Sequence, residues 1–330
     1  MGRRLLFILL SMCFDDASLQ DWASCSKSAL GSGEAPRDGE YRRFLGPHDL
    51  GRATEGVVSF WPRQTLLLKL NTMMVDAWLA NFFPPGLAAK MFGMWNFLET
   101  GLVGHLGRAG LTHLRLRQHK DPPPYEFNDG LAKLIQMLSA LLRIKPKRTI
   151  QIKWTDRNRF LAASDAAADG SSAPTGGFLL VFHPGPRLAA VPDLTAELAS
   201  CLDPGVQKIA QWGLMQVMIA LITYPEWFRN RAGLWFIDNI NGLIALVKGR
   251  SGVPDLDHLA MVTHCFLFSL NCTMYWEYVQ SDANWSDAIS RLGRNDPWHK
   301  KHVFAFAPLC VPLEVFQMDL HTMLMVFSFL

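Results

Sequence analysis

The chain has 330 residues, 49% of them hydrophobic and 18% charged, with a formal net charge of +3. That length holds about two domains of ordinary size, and the modest net charge excludes a polyanion-binding tail of the obvious kind. No apolar stretch reaches the ~18 residues of a membrane span. The six cysteines (Cys13, Cys25, Cys201, Cys265, Cys272, Cys310) show no C-x-x-C or zinc-type spacing, so they read as free thiols of an intracellular protein.

The first 25 residues, MGRRLLFILLSMCFDDASLQDWASC, fit two patterns. Two arginines followed by an apolar run and small residues match a secretory signal peptide. The same run also matches a buried strand that ends in the carboxylate pair Asp15-Asp16. Residues 26–56 are rich in Gly, Ser, Arg and Glu and predict mostly loop, interrupted by Phe44-Leu45-Gly46. From about Thr65 to His119 apolar residues recur at three- and four-residue spacings, which predicts helices, with a break at Pro84-Pro85. KDPPPYEF (120–127) punctuates the chain, and a second amphipathic helix over about Asn128–Arg143 stops before Pro146. Between Gly101 and Phe160 there are twelve Lys/Arg against four acids. Such a local excess suits a phosphate backbone, with Arg143, Lys145, Lys147 and Arg148 as the candidate contacts; a solvated helix face is the other reading.

After Trp154 the pattern changes. Phe160–Ser164, GGFLLVFHP and RLAAV predict a three-stranded meander. A helix over about Val206–Thr223 follows, then a strand at Leu234–Ile237, helices over Asn239–Lys248 and Leu256–Leu270, a strand at Thr273–Val279 and a short helix around Asp287–Leu292. This order implies a mixed sheet covered by helices. Asp165 closes the first of these strands, Asp238 closes the fourth, and Asp287 enters on the final helix. If the first and fourth strands are neighbours, the three carboxylates gather at one edge, a cluster suited to two divalent ions in phosphodiester cleavage. Magnesium, or manganese in its place, is the expected ion because it takes hard oxygen ligands. Singly, each Asp at a strand end also suits a helix or turn cap.

FLAASDAAADGSSAPTGGFLLVF, LWFIDNINGLIALVKGRS and YVQSDANWSDAISRLG, in this order, resemble the ribonuclease H-like domain at the C-terminal end of retroelement reverse transcriptases. CFDDASLQDW resembles the acidic-pair region of the polymerase palm, RRFLGPHDL the segment leading into the primer grip, and GVVSFWPRQTLLLKL through GHLGRAGLTHLRLRQ the thumb and connection helices. The resemblance implies an α/β fold with a ribonuclease H-like mixed five-stranded sheet and flanking helices over 156–292. It also implies a truncated palm remnant over 1–61, a mostly helical thumb and connection over 62–150, and a tail over 293–330. Leu5–Phe14 then becomes a palm strand and Asp15-Asp16 the metal-holding pair. Only 14 residues precede Asp15, so the further palm Asp and the fingers are missing and polymerisation by this chain alone is not implied. The family's hybrid-cleaving site uses Asp165, Asp238, Asp287 and a Glu in a Gln-x-Glu pattern. That pattern falls on Gln211-Trp212-Gly213, which puts Gly213 where the Glu should stand. The implied function is RNA·DNA hybrid cleavage with an impaired site. A non-catalytic module for hybrid or duplex, and an integrase or transposase of the same fold, are the alternatives. No small-molecule cofactor is implied.

Overall fold

The computed structural model describes residues 48–50, 57–99, 105–108, 110–144, 147–151, 159–167, 174–192, 195–202, 208–306, 309 and 313–317. The chain divides into two compact units, one of residues 1–104 and 110–153, the other of residues 105–109 and 154–330. Of the expected palm remnant, residues 48–50 and 57–61 are described, and they fall in the first unit.

In the first unit β1 (His48–Leu50), β2 (Val57–Pro62) and β3 (Arg148–Gln151) form an antiparallel sheet in the order β1-β2-β3. Among the described residues four helices lie between β2 and β3 in the chain: α1 (Gln64–Leu79), α2 (Pro85–Leu98), α3 (Thr112–His119) and α4 (Asp129–Ile144). Pro84-Pro85 does break the helical run, with Pro85 at the first position of α2, where a missing N–H costs nothing. β1 departs from the expected loop and β3 from the expected helical region, because three- and four-residue strands carry too few positions to show a period. Arg117 on α3 is buried. Its Nε donates to Asp121 Oδ2 at 2.9 Å, Nη1 to the Phe83 carbonyl at 3.0 Å and Nη2 to the Glu126 carbonyl at 2.7 Å. One of the twelve cations counted in the basic stretch is therefore consumed in holding the Pro-rich turn.

The second unit is built on a six-stranded sheet. Its strands are β4 (Arg159–Ala167), β5 (Thr175–His183), β6 (Arg187–Ala190), β7 (Ala232–Ile237), β8 (Thr273–Tyr278) and β9 (Ala305–Phe306), in the order β8-β7-β4-β5-β6-β9. β4, β5 and β6 are the antiparallel meander, while β7 pairs parallel with β4 and β8 parallel with β7. The chain is thus an α/β protein with a mixed sheet and flanking helices. Five strands were expected; β9 makes a sixth by pairing parallel with β6, so residues read as a tail complete the sheet edge.

The helices of this unit are α5 (Ala196–Ser200), α6 (Ile209–Thr223), α7 (Pro225–Phe228), α8 (Ile240–Lys248), α9 (Pro254–Ser269), α10 (Asp287–Leu292), α11 (Pro297–Lys301) and α12 (Leu313–Gln317). α6 is buried on nearly every side, which fits its apolar composition all round. It packs against β4, β5 and α9. The alternation of β5 separates two faces. A Cβ on Gly176 would meet the Gln216 side chain of α6, whereas one on Gly177 would meet Ile289 and Ser290 of α10 at 3.0–3.1 Å. α6 and α10 therefore cover opposite faces of the sheet. Leu179, Ala189 and Ile289 form a small core under α10, flanked by Trp285, Trp298, Phe304 and Phe306. Asp296 caps α11, its carboxylate accepting from the backbone N–H groups of Trp298 and His299, and so fixes the segment that carries β9.

Candidate functional site

Parallel neighbours end at the same edge of a sheet, which brings β4 and β7 to one place. Their last paired residues are Ser164 and Ile237, so the next positions, Asp165 and Asp238, sit side by side, the arrangement expected if these two strands are neighbours. A cleft of about 190 Å³ opens there, with Asp165, Ile209, Gly213, Asp238, Ser281 and Arg291 among its lining residues. Gly213 thus faces the two aspartates from α6. A Cβ built on it would have no atom within 4 Å, so the position is open space and not a packing glycine.

The surroundings fix Asp165 from several directions. Trp235 Nε1 donates to Ser164 Oγ at 2.9 Å, and Asn284 Nδ2 donates to the Ser164 carbonyl at 3.2 Å. Asn284 Oδ1 in turn accepts from Ser286 N at 3.1 Å and Ser286 Oγ at 2.7 Å, which holds the turn that leads into α10. Ser290, one turn into that helix, donates from Oγ to Asp165 Oδ2. The close approach of α10 at Gly177 makes this reach possible. Ser281 Oγ donates to Asp238 Oδ2 at 3.1 Å.

Asp165 is 6% exposed. Burial pushes its carboxyl up to about 6, the charges of Asp238 and Asp287 add to the rise, and the Ser290 hydrogen bond opposes it. Asp287 comes to the same end on α10, but its carboxylate is already engaged: Oδ1 accepts from Arg291 Nε at 3.0 Å and from Arg291 Nη2 at 2.8 Å. These Asp287 hydrogen bonds, and the charges of Asp287, Asp165 and Asp238, hold the guanidinium even more firmly protonated than usual.

The donor set does not fit a two-metal centre. The position facing Asp165 and Asp238 is a glycine, the third carboxylate is bound to an arginine, and that arginine lines the cleft. Among the described residues no group of three His, Cys, Asp or Glu side chains is arranged to hold a metal ion. Asp15, Asp16 and Lys145 lie outside the described residues. Arg143 is exposed at the last turn of α4, Lys147 is exposed just beyond it, and Arg148 opens β3. Among the described residues no helix is long and apolar enough to cross a membrane.

Ser290 and Arg291 escaped the reading of the sequence, although a signal was there. In S-D-A-I-S-R they stand three and four residues after Asp287, the spacing that places side chains on one helical face. No family model matches the chain, and no curated protein is significantly similar to it.

Proposed function

We propose that the chain is of retroelement reverse transcriptase type and that its second unit is a ribonuclease H-like domain, one that engages RNA·DNA hybrids with an impaired cleavage site. One observation carries the reading: Asp165 and Asp238, at the ends of adjacent parallel strands, share a cleft with Gly213, the position at which the resemblance expects a carboxylate. A meander followed by two parallel strands, with helices on both faces, supports the same assignment. The exposed Arg143 and Lys147 are the chain's own contacts to phosphate, acting by charge and releasing counterions without reading bases.

The parent protein incubated with a short RNA·DNA hybrid in magnesium should bind it in a salt-sensitive manner and cleave it near background, with any residual cleavage lost on Asp238→Asn. Salt-sensitive binding with no cleavage at all, under conditions where Gly213→Glu also fails to cleave, favours the non-catalytic module. A preference for duplex DNA over hybrid, with strand transfer in place of hydrolysis, would point to the integrase or transposase alternative.

A further inference from the structure

We infer that Arg291 is the resident cation of the cleft: its guanidinium, held by Asp287, supplies the positive charge that Asp165 and Asp238 would otherwise draw from a divalent ion. The inference rests on the cleft of the proposed hybrid-binding domain, but its test involves no nucleic acid.

Three features of the site lead to it. Arg291 lines the cleft together with Asp165 and Asp238. It is anchored there by two donors on a single oxygen of Asp287, four residues earlier on the same helix. A guanidinium stays charged at every working pH, so an ion of charge +2 entering the cleft meets a fixed positive charge. That ion must also compete for Asp287 Oδ1, which already accepts two hydrogen bonds. On the other side nothing compensates, because the open space at Gly213 offers no ligand. The cleft is thus short of one carboxylate and carries one extra cation, and the two changes act in the same direction.

The probe is Mn2+, titrated by electron paramagnetic resonance into the full chain at low ionic strength, where screening is least. Binding at the cleft is the part abolished by Asp238→Asn, which separates it from sites elsewhere in the chain. Arg291→Gln should tighten that part by about tenfold or more over the parent, whereas Arg291→Lys, which keeps the charge, should stay close to the parent. The Arg291 side chain is 61% exposed, so its loss should leave the fold intact, and thermal melts of each variant check this. Equal Mn2+ affinity for the parent and Arg291→Gln, or equal tightening in the Lys variant, would overturn the inference. So would a parent that already binds Mn2+ tightly at the cleft, a measurement needing no Arg291 variant. Failure here leaves hybrid binding untouched, and a chain that ignores hybrids would leave the Mn2+ result standing.

Discussion

The two ends of the β4–β7 strand pair are built from opposite materials. At the end where β4 and β7 begin, Phe160 and Phe182 both lie edge-on to Phe228, with ring centroids 5.0 and 5.3 Å from it, and Trp235 stacks at 6.3 Å. Arg231 spreads over Phe182 and Trp227 at 5.5 and 5.7 Å and donates to the His183 and Pro184 carbonyls. Even the glycine is full there, since a Cβ on Gly233 would strike the Phe160 ring. At the other end stand buried and half-buried acids, hydroxyls and a glycine with nothing beside it. One end is filled by rings with a single guanidinium laid over them, the other is open and lined by acids. The contrast teaches that the sheet's stability is concentrated where no chemistry can occur, which leaves the cleft free to carry groups that oppose folding.

The largest stability effect should come from the aromatic end. Phe228→Ala removes a fully buried ring at the centre of the cluster and should cost about 3–5 kcal/mol in urea unfolding. A loss below about 1 kcal/mol would erase the contrast.

At the cleft the sign should reverse. The folded protein holds the Asp165 proton more tightly than the unfolded chain, because its carboxyl is raised from 3.8 to about 6. The associated stability is present below the unfolded value and is lost as pH rises through about 6. Asp165→Asn should therefore stabilise the protein at pH 8 by up to roughly 3 kcal/mol, with the gain shrinking to nothing near pH 4. Urea midpoints at the two pH values check this, and an Asn variant less stable at pH 8 contradicts it.

Gly213→Ala should add about 1 kcal/mol or less, since the helix gains propensity and the methyl meets no neighbour. A destabilised Ala variant would mean that the space at position 213 is needed. The smallest change in stability should come from Arg143→Gln with Lys147→Gln, within about 0.5 kcal/mol. The same pair should flatten the log K versus log salt slope for any duplex by about 0.9 for each phosphate that is no longer neutralised. An unchanged slope removes these residues from the interface.

The sheet domain was legible because its strands are long or flanked by clear breaks. FLAAS and LWFI are apolar runs of the kind that parallel central strands require, and each ends in the aspartate that defines the edge. Gly213 was singled out through the resemblance, whose Gln-x-Glu pattern falls on Gln211-Trp212-Gly213. β9 was invisible, since two residues carry no period, and its partner β6 and the core of Leu179 and Ala189 on which Trp298 and Phe304 pack lie more than a hundred residues earlier in the chain. β1 and β3 were missed for the same reason of length, whereas the six residues of β2 lie in the segment whose resemblance pointed to thumb and connection helices. Counting charges also misled at Arg117, since formal charge does not distinguish an exposed cation from one buried against two carbonyls and a carboxylate.

The central claim, that the cleft is a hybrid-cleaving site missing one carboxylate, is tested most directly by cleavage of an RNA·DNA hybrid in magnesium. The proteins to compare are the parent, Gly213→Glu, and Gly213→Glu combined with Asp238→Asn. A Cβ at residue 213 would meet no atom within 4 Å, and the residue lines the cleft together with both aspartates. The account predicts cleavage near background in the parent, a rise of about a hundredfold or more in the Glu variant, and return to background in the double variant. A parent that cleaves as fast as Gly213→Glu, or a gain that survives Asp238→Asn, would contradict it.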